Sequence, residues 1–178
     1  MLVFVPSFCS AEGPGEVSLW RLKRDVEERE RQLARAQCEL AEARARLAQA
    51  EGGRDLAISD LRNAVAYHRA EVRWARDNRN RSCDPAGLLA GADWHLAKAR
   101  AWLAEVEGET AALVAELKKV VGYQEKHLQS MQRLAEKGAV HPEEIMVAQA
   151  ALGKARERLE AAEKRLKAEQ DRKPKEAK

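Results

Sequence analysis

From Leu19 onward, large apolar residues recur every seven positions: Leu19, Val26, Leu33, Leu40 and Leu47. The residues three further on are Leu22, Arg29, Ala36, Ala43 and Ala50. A seven-residue period is two turns of a slightly underwound α-helix, so the stripe stays on one face and must be covered by another helix. The same arrangement returns near the other end, with Ile145, Leu152, Leu159 and Leu166 alternating with Ala148, Ala155 and Ala162. Large residues at one seam position and Ala at the other let two helices approach closely, because the small side chain leaves room for its neighbour's knob. Arg29 fits such a seam at its edge, with its aliphatic stem covered and its charge in water.

A second regularity lies above the heptad. A gapless shift of 56 residues superposes Leu61 on Leu117, Val65 on Val121 and Tyr67 on Tyr123. It also carries Ala92, Leu96, Lys98, Ala99, Arg100, Leu103 and Glu107 onto Ala148, Leu152, Lys154, Ala155, Arg156, Leu159 and Glu163. A half copy lies upstream at Ala36, Leu40, Ala43, Arg44, Leu47 and Glu51. Eight heptads make this period, so each copy presents its seam on the same side.

Each full copy reads helix, break, helix. The first break is Ser82-Cys83-Asp84-Pro85-Ala86-Gly87, where Asp84 suits an N-cap and Pro85 the first helical turn. The second is Gly138-Ala139-Val140-His141-Pro142. Gly138 suits the left-handed residue that ends a helix, and Pro142 starts the next with Glu143 and Glu144 near its positive end. The ascending helices use the stripe Ile58, Leu61, Val65, His68, Val72 and Ala75, matched by Val114, Leu117, Val121, Gln124, Leu128 and Met131. Relative to the preceding seam this is a four-residue stutter, which a continuous helix absorbs. A lone glycine costs a helix only about 1 kcal/mol, and cap residues around Gly108 are weak. The pattern therefore favours helices passing through Gly52-Gly53 and Gly108, giving three antiparallel segments at about 17–81, 88–137 and 142–170. Five shorter helices are the alternative. Either way the expected fold is all-α: elongated antiparallel coiled-coil hairpins spanning residues 17–170, with a basic tail at 171–178 outside the array.

Composition agrees. Only 4% of residues are aromatic, while 34% are charged and 45% hydrophobic, so the core is thin and built of Ala and Leu. The net charge of +3 comes from 32 basic and 29 acidic residues of interspersed sign, which marks solvated helix faces and argues against nucleic acid as a partner. Cys9, Cys38 and Cys83 are odd in number and lack paired spacing. At the N-terminus, residues 1–16 resemble a secretory leader: the apolar run Leu2–Phe8 precedes small residues at Cys9 and Ala11. The leader pattern implies an extracytoplasmic protein, in the periplasm or cell envelope. Nothing else approaches the roughly 20 apolar residues of a membrane span.

Motifs for chemistry are missing. His68, His95, His127 and His141 show no metal-ligand spacing, and His68 falls in a seam where a polar residue more often sets register. No phosphate loop, nucleophile elbow, catalytic carboxylate pair or cofactor motif is present, so the expectation is a non-enzyme without metal or cofactor. The candidate interaction residues cluster at the breaks. Arg73, Arg76, Arg79 and Arg81 surround the first, with Trp74 before it and Trp94 after it, both placed off the seam. Exposed aromatics amid arginines are typical of interface anchors.

The segment Met131–Leu166 (MQRLAEKGAVHPEEIMVAQAALGKARERLEAAEKRL) resembles the tip and descending arm of the α-hairpin in HlyD-type membrane fusion proteins, the periplasmic adaptors. Leu134, Gly138, Val140 and Ile145 fit that family's tip. The resemblance implies a tip that docks on an outer-membrane tunnel, through an Arg four residues before the leucine and a Ser opening the return helix. Here those positions hold Ser130 and His141, and the first tip has Asn78 and Pro85 in place of the leucine and the serine. Tunnel docking is therefore not carried over. No stretch has the alternating pattern of the family's flanking lipoyl and β-barrel domains. The expectation is a hairpin array acting as a coiled-coil scaffold or spacer of the cell envelope. Its partner would be a protein, an envelope component or a second copy engaged through coiled-coil seams, with Leu134 and His141 joining the Arg/Trp residues as candidate contacts. The alternative is a binding module whose Arg/Trp-rich tip engages an anionic or protein partner.

Overall fold

The computed structural model describes residues 19–78, 80 and 85–176. The leader-like segment, Arg79, Arg81 and the Asp84 cap lie outside them. The described residues form five α-helices and no strand: α1 (Leu19–Ala50), α2 (Arg54–Asp77), α3 (Pro85–Glu107), α4 (Thr110–Ala135) and α5 (Pro142–Glu176). The chain divides into two units, residues 1–36 and residues 37–178. In the first, the described side chains of α1 are exposed apart from a half-buried Ala34.

The second unit contains two cores, each lined by three helices. Ala45 and Ala48 of α1 pack with Ala57 and Leu61 of α2, against Trp102, Leu103 and Val106 of α3. Further along, Val65 and Val72 of α2 meet Leu89, Ala92, Leu96 and Ala99 of α3. On its other side α3 turns Ala97, Ala101 and Ala104 toward Leu113, Val114, Leu117, Val120 and Val121 of α4, with Leu152, Ala155 and Ala162 of α5. The middle helix is thus apolar on two faces, and alanines on the second let α4 and α5 close over it. The expected seams of α2, α4 and α5 are the ones used.

The helices do not run through the glycines, so the favoured three-segment reading is corrected to five helices. Gly52 and Gly108 have φ of 79° and 78°, outside any right-handed helix. Each is the residue after the last helical turn in a Schellman motif. Gly53 N–H donates to Ala48 C=O at 2.7 Å and Gly52 N–H to Gln49 C=O at 3.2 Å. Fifty-six residues later, Glu109 N–H donates to Ala104 C=O at 2.9 Å and Gly108 N–H to Glu105 C=O at 3.3 Å. Gly138, at φ 70°, closes α4 in the same way, with Ala139 N–H on Leu134 C=O at 3.0 Å.

The cap that the residues around Gly108 lack is supplied from a distance. Arg54, opening α2, sends its guanidinium across to the end of α3, donating to Val106 C=O at 2.8 Å and Glu107 C=O at 2.6 Å. A cation at a helix C-terminus also meets the negative end of the helix dipole. Beside it Arg62 pairs with Glu107 at 2.8 Å, and Trp102 Nε1 donates to Gln49 Oε1 at 3.0 Å. The turns at Gly52 and Gly108 are therefore fastened to each other.

At the other end α3 starts at Pro85 and α5 at Pro142, as the sequence predicts. Beyond Leu166, α5 continues to Glu176, through part of the tail expected outside the array. Thr110 Oγ1 donates to Glu169 Oε1 at 2.6 Å, which ties that stretch to the start of α4.

Candidate functional site

The largest departure from the sequence reading is the phase of α1. In the second unit α1 buries Cys38, Ala41, Ala45 and Ala48, a heptad stripe of small residues. Leu40 and Leu47, assigned to the seam, are 50% and 59% exposed. In the first unit Leu19, Val26 and Leu33 of the same phase are exposed as well, as is Leu22. The physical reason is close packing. Ala45 and Ala57 have no accessible surface, and such an approach has no room for leucine at either position. Alanine decides which stripe faces inward, and the leucines are left outside.

Where α1 meets α2 the core turns polar. Cys38 and Glu42 lie one turn apart on α1, so both project toward α2. There His68 is the one buried polar or charged side chain among the described residues. Its Nε2 lies 3.5 Å from Cys38 Sγ and 3.5 Å from Glu42 Oε1. Its Nδ1 lies 2.9 Å from Glu71 Oε2, and the other oxygen of Glu71 accepts from Tyr67 OH at 2.9 Å. The second oxygen of Glu42 pairs with Arg46 at 3.4 Å. His95 of α3 stacks on His68, with centroids 5.5 Å apart and planes 11° from parallel.

Electrostatics follow from this crowding. Burial pushes the Cys38 thiol up to about 12, and the carboxylates of Glu42, Glu71 and Glu39 push the same way. The hydrogen bond from His68 holds Glu71 below the usual carboxylate range against its own burial, with Tyr67 assisting. Burial lowers His95, helped by the neighbouring His68 and Lys98. Cys38 Sγ, Glu42 and His68 offer three ligand atoms of metal-binding type within 4.8 Å of one another. The sequence carried a partial signal, Cys-x-x-x-Glu on one helix face. Its histidine is 26 residues further on, at no spacing a motif would show.

The residues expected to form the interaction tip are only partly brought together. Arg73, Trp74 and Arg76 near the end of α2 are exposed, Trp74 at 37%. Trp94 is corrected. It packs half-buried against the core formed with α4 and α5, under the ammonium of Lys98 at 4.5 Å, and is not an exposed anchor. It lies off the α2-facing stripe of α3 but on that helix's second inward face. Leu134 is 42% exposed and His141 exposed, at the break between α4 and α5.

No family model, curated protein or solved structure matches this chain.

Proposed function

We propose that the chain is a non-enzymatic coiled-coil scaffold of the cell envelope, assembling with a second copy of itself through the outer face of α1. One observation carries this reading: the exposed heptad stripe that includes Leu40 and Leu47, on the side of α1 opposite its alanine seam. A helix with one heptad stripe covered and another bare is built for a further neighbour, and among the described residues α2 and α3 cover only the alanine stripe.

Charge supports a parallel pair in register. The positions flanking the leucines place Glu39 opposite Arg44 of the other copy, and Arg46 opposite Glu51. Asp25 opposite Glu30 is like-charged. Ala43 and Ala50, both exposed on the same face, leave room for close approach. The extracytoplasmic placement rests on the leader-like residues 1–16 and the adaptor-like hairpin at Met131–Leu166. No helix among the described residues is long and apolar enough to cross a membrane.

Sedimentation equilibrium tests the assembly. The native chain is expected to form dimers whose population rises with concentration, and Leu40→Glu with Leu47→Glu should abolish them while leaving helicity intact. A native chain that stays monomeric at its highest soluble concentration would overturn the reading.

A further inference from the structure

We propose that Cys38, Glu42 and His68 form a binding site for one zinc-class divalent cation, which would staple α1 to α2. The site lies inside the second unit, on the α2-facing side of α1 rather than on the outer leucine face.

Geometry makes the first argument. A tetrahedral zinc with a sulfur ligand at ~2.3 Å and nitrogen or oxygen ligands at ~2.0–2.1 Å separates S from N by ~3.6 Å and N from O by ~3.4 Å. Here Cys38 Sγ and Glu42 Oε1 each stand 3.5 Å from His68 Nε2. All three atoms fall within 4.8 Å of one another, so the trio needs only small side-chain adjustment to share one ion.

The imidazole is also held in the orientation a metal ligand needs. His68 Nδ1 is held by Glu71 at 2.9 Å, and Glu71 is in turn held by Tyr67. This carboxylate–histidine relay fixes the tautomer of a metal-bound imidazole and raises its donor strength. With the Nδ1 proton donated to Glu71, the Nε2 lone pair faces the Glu42 oxygen at 3.5 Å, acceptor against acceptor. A cation between them turns that opposition into two bonds.

The donor set selects the ion. One thiolate, one imidazole and one carboxylate suit zinc, whereas magnesium and calcium take oxygen ligands. Binding replaces the thiol proton, which leaves for solvent as the Cys38 sulfur bonds the metal. The Glu42 side chain is 28% exposed and opens the fourth position to water. His95 stacks face to face with His68 and is not one of the three residues whose ligand atoms converge. Glu42 itself is shared with Arg46, which tempers its charge without blocking the oxygen that faces His68.

Cobalt reports on such a site directly, because a thiolate ligand gives a charge-transfer band and a tetrahedral field gives intense visible bands. The chain with Cys9→Ser and Cys83→Ser keeps Cys38 as its sole thiol. Titration with Co2+ should develop both signals to saturation at one equivalent, and Zn2+ should bleach them. Cys38→Ala should remove the charge-transfer band. His68→Gln should weaken binding at least tenfold, and Glu71→Gln, which touches no metal, by roughly 10- to 100-fold. If the double serine variant folds poorly, the native chain against Cys38→Ala gives the same comparison. Zinc should also raise the melting temperature of the native chain but not of Cys38→Ala. A helical chain that shows no band in a large excess of Co2+, or keeps the same band in Cys38→Ala, overturns the proposal.

Discussion

Replacing Ala45 with Leu tests which stripe of α1 is the core. Ala45 has no accessible surface and packs with Ala48, Ala57 and Leu61 beneath Trp102. Leucine adds three carbon atoms where the neighbouring wall is itself alanine and ring, so α1 must be pushed outward or the added atoms forced off rotamer. Overpacking of this kind costs about 1–3 kcal/mol. For a domain of this size, that lowers the melting temperature by about 2–4 °C per kcal/mol. Leu40→Ala is the control on the opposite face. Leu40 is 50% exposed, so its burial contributes at most about half of the roughly 1.5–3 kcal/mol of a fully buried leucine. Thermal melts followed by helical circular dichroism, at concentrations low enough to keep the chain monomeric, should show Ala45→Leu as the more damaging change. A neutral Ala45→Leu beside an Leu40→Ala that costs more than about 2 kcal/mol would refute the packing, since that is the response of a leucine core.

Gly52→Ala should cost about 1 kcal/mol from its left-handed backbone alone, because its added methyl meets nothing, while Gly91→Ala inside α3 should stabilise by up to about 1 kcal/mol in the same melts. Arg54→Met should cost on the order of 1 kcal/mol through the lost carbonyl cap, discounted for exposure, and amide hydrogen exchange should quicken at the end of α3. Ala155→Leu in α5 should cost about 1–3 kcal/mol and the exposed Glu157→Gln less than about 0.5 kcal/mol. Raising the Cys38 thiol from 9.0 to about 12 lowers its thiolate fraction at neutral pH on the order of a thousandfold. With Cys9 and Cys83 replaced by Ser, metal-free native protein should therefore react with a maleimide far more slowly than the same chain in denaturant.

What the sequence disclosed was whatever local chemistry decides. Gly138 and Pro142 end one helix and begin the next by their own backbone preferences, and so they read correctly. The stripes of α2, α4 and α5 also read correctly, because each of these helices has one dominant apolar face. Gly52 and Gly108 did not, since the residue that caps α3 beside Gly108 is Arg54, more than 50 positions away. Helix α1 carries two heptads seven residues in period, and counting large residues selected the wrong one. Trp94 was misplaced for a related reason, as α3 is lined on both sides. The trio at Cys38, Glu42 and His68 needs the register between α1 and α2, which no single-helix pattern contains.

The doubly lined α3 also governs how this molecule comes apart. An array of independent hairpins would melt in stages, each losing structure without consulting the next. Here neither neighbour can leave without wetting an alanine face of the same helix: departure of α4 and α5 bares Ala97, Ala101 and Ala104, and departure of α1 and α2 bares Leu96 and Ala99. Cleavage between Glu107 and Gly108 would leave α4–α5 with an open groove and α1–α3 with an uncovered flank. Both fragments would then be sticky, and each would be the other's best remedy, so the severed halves should find one another in solution and restore the helicity of the intact chain.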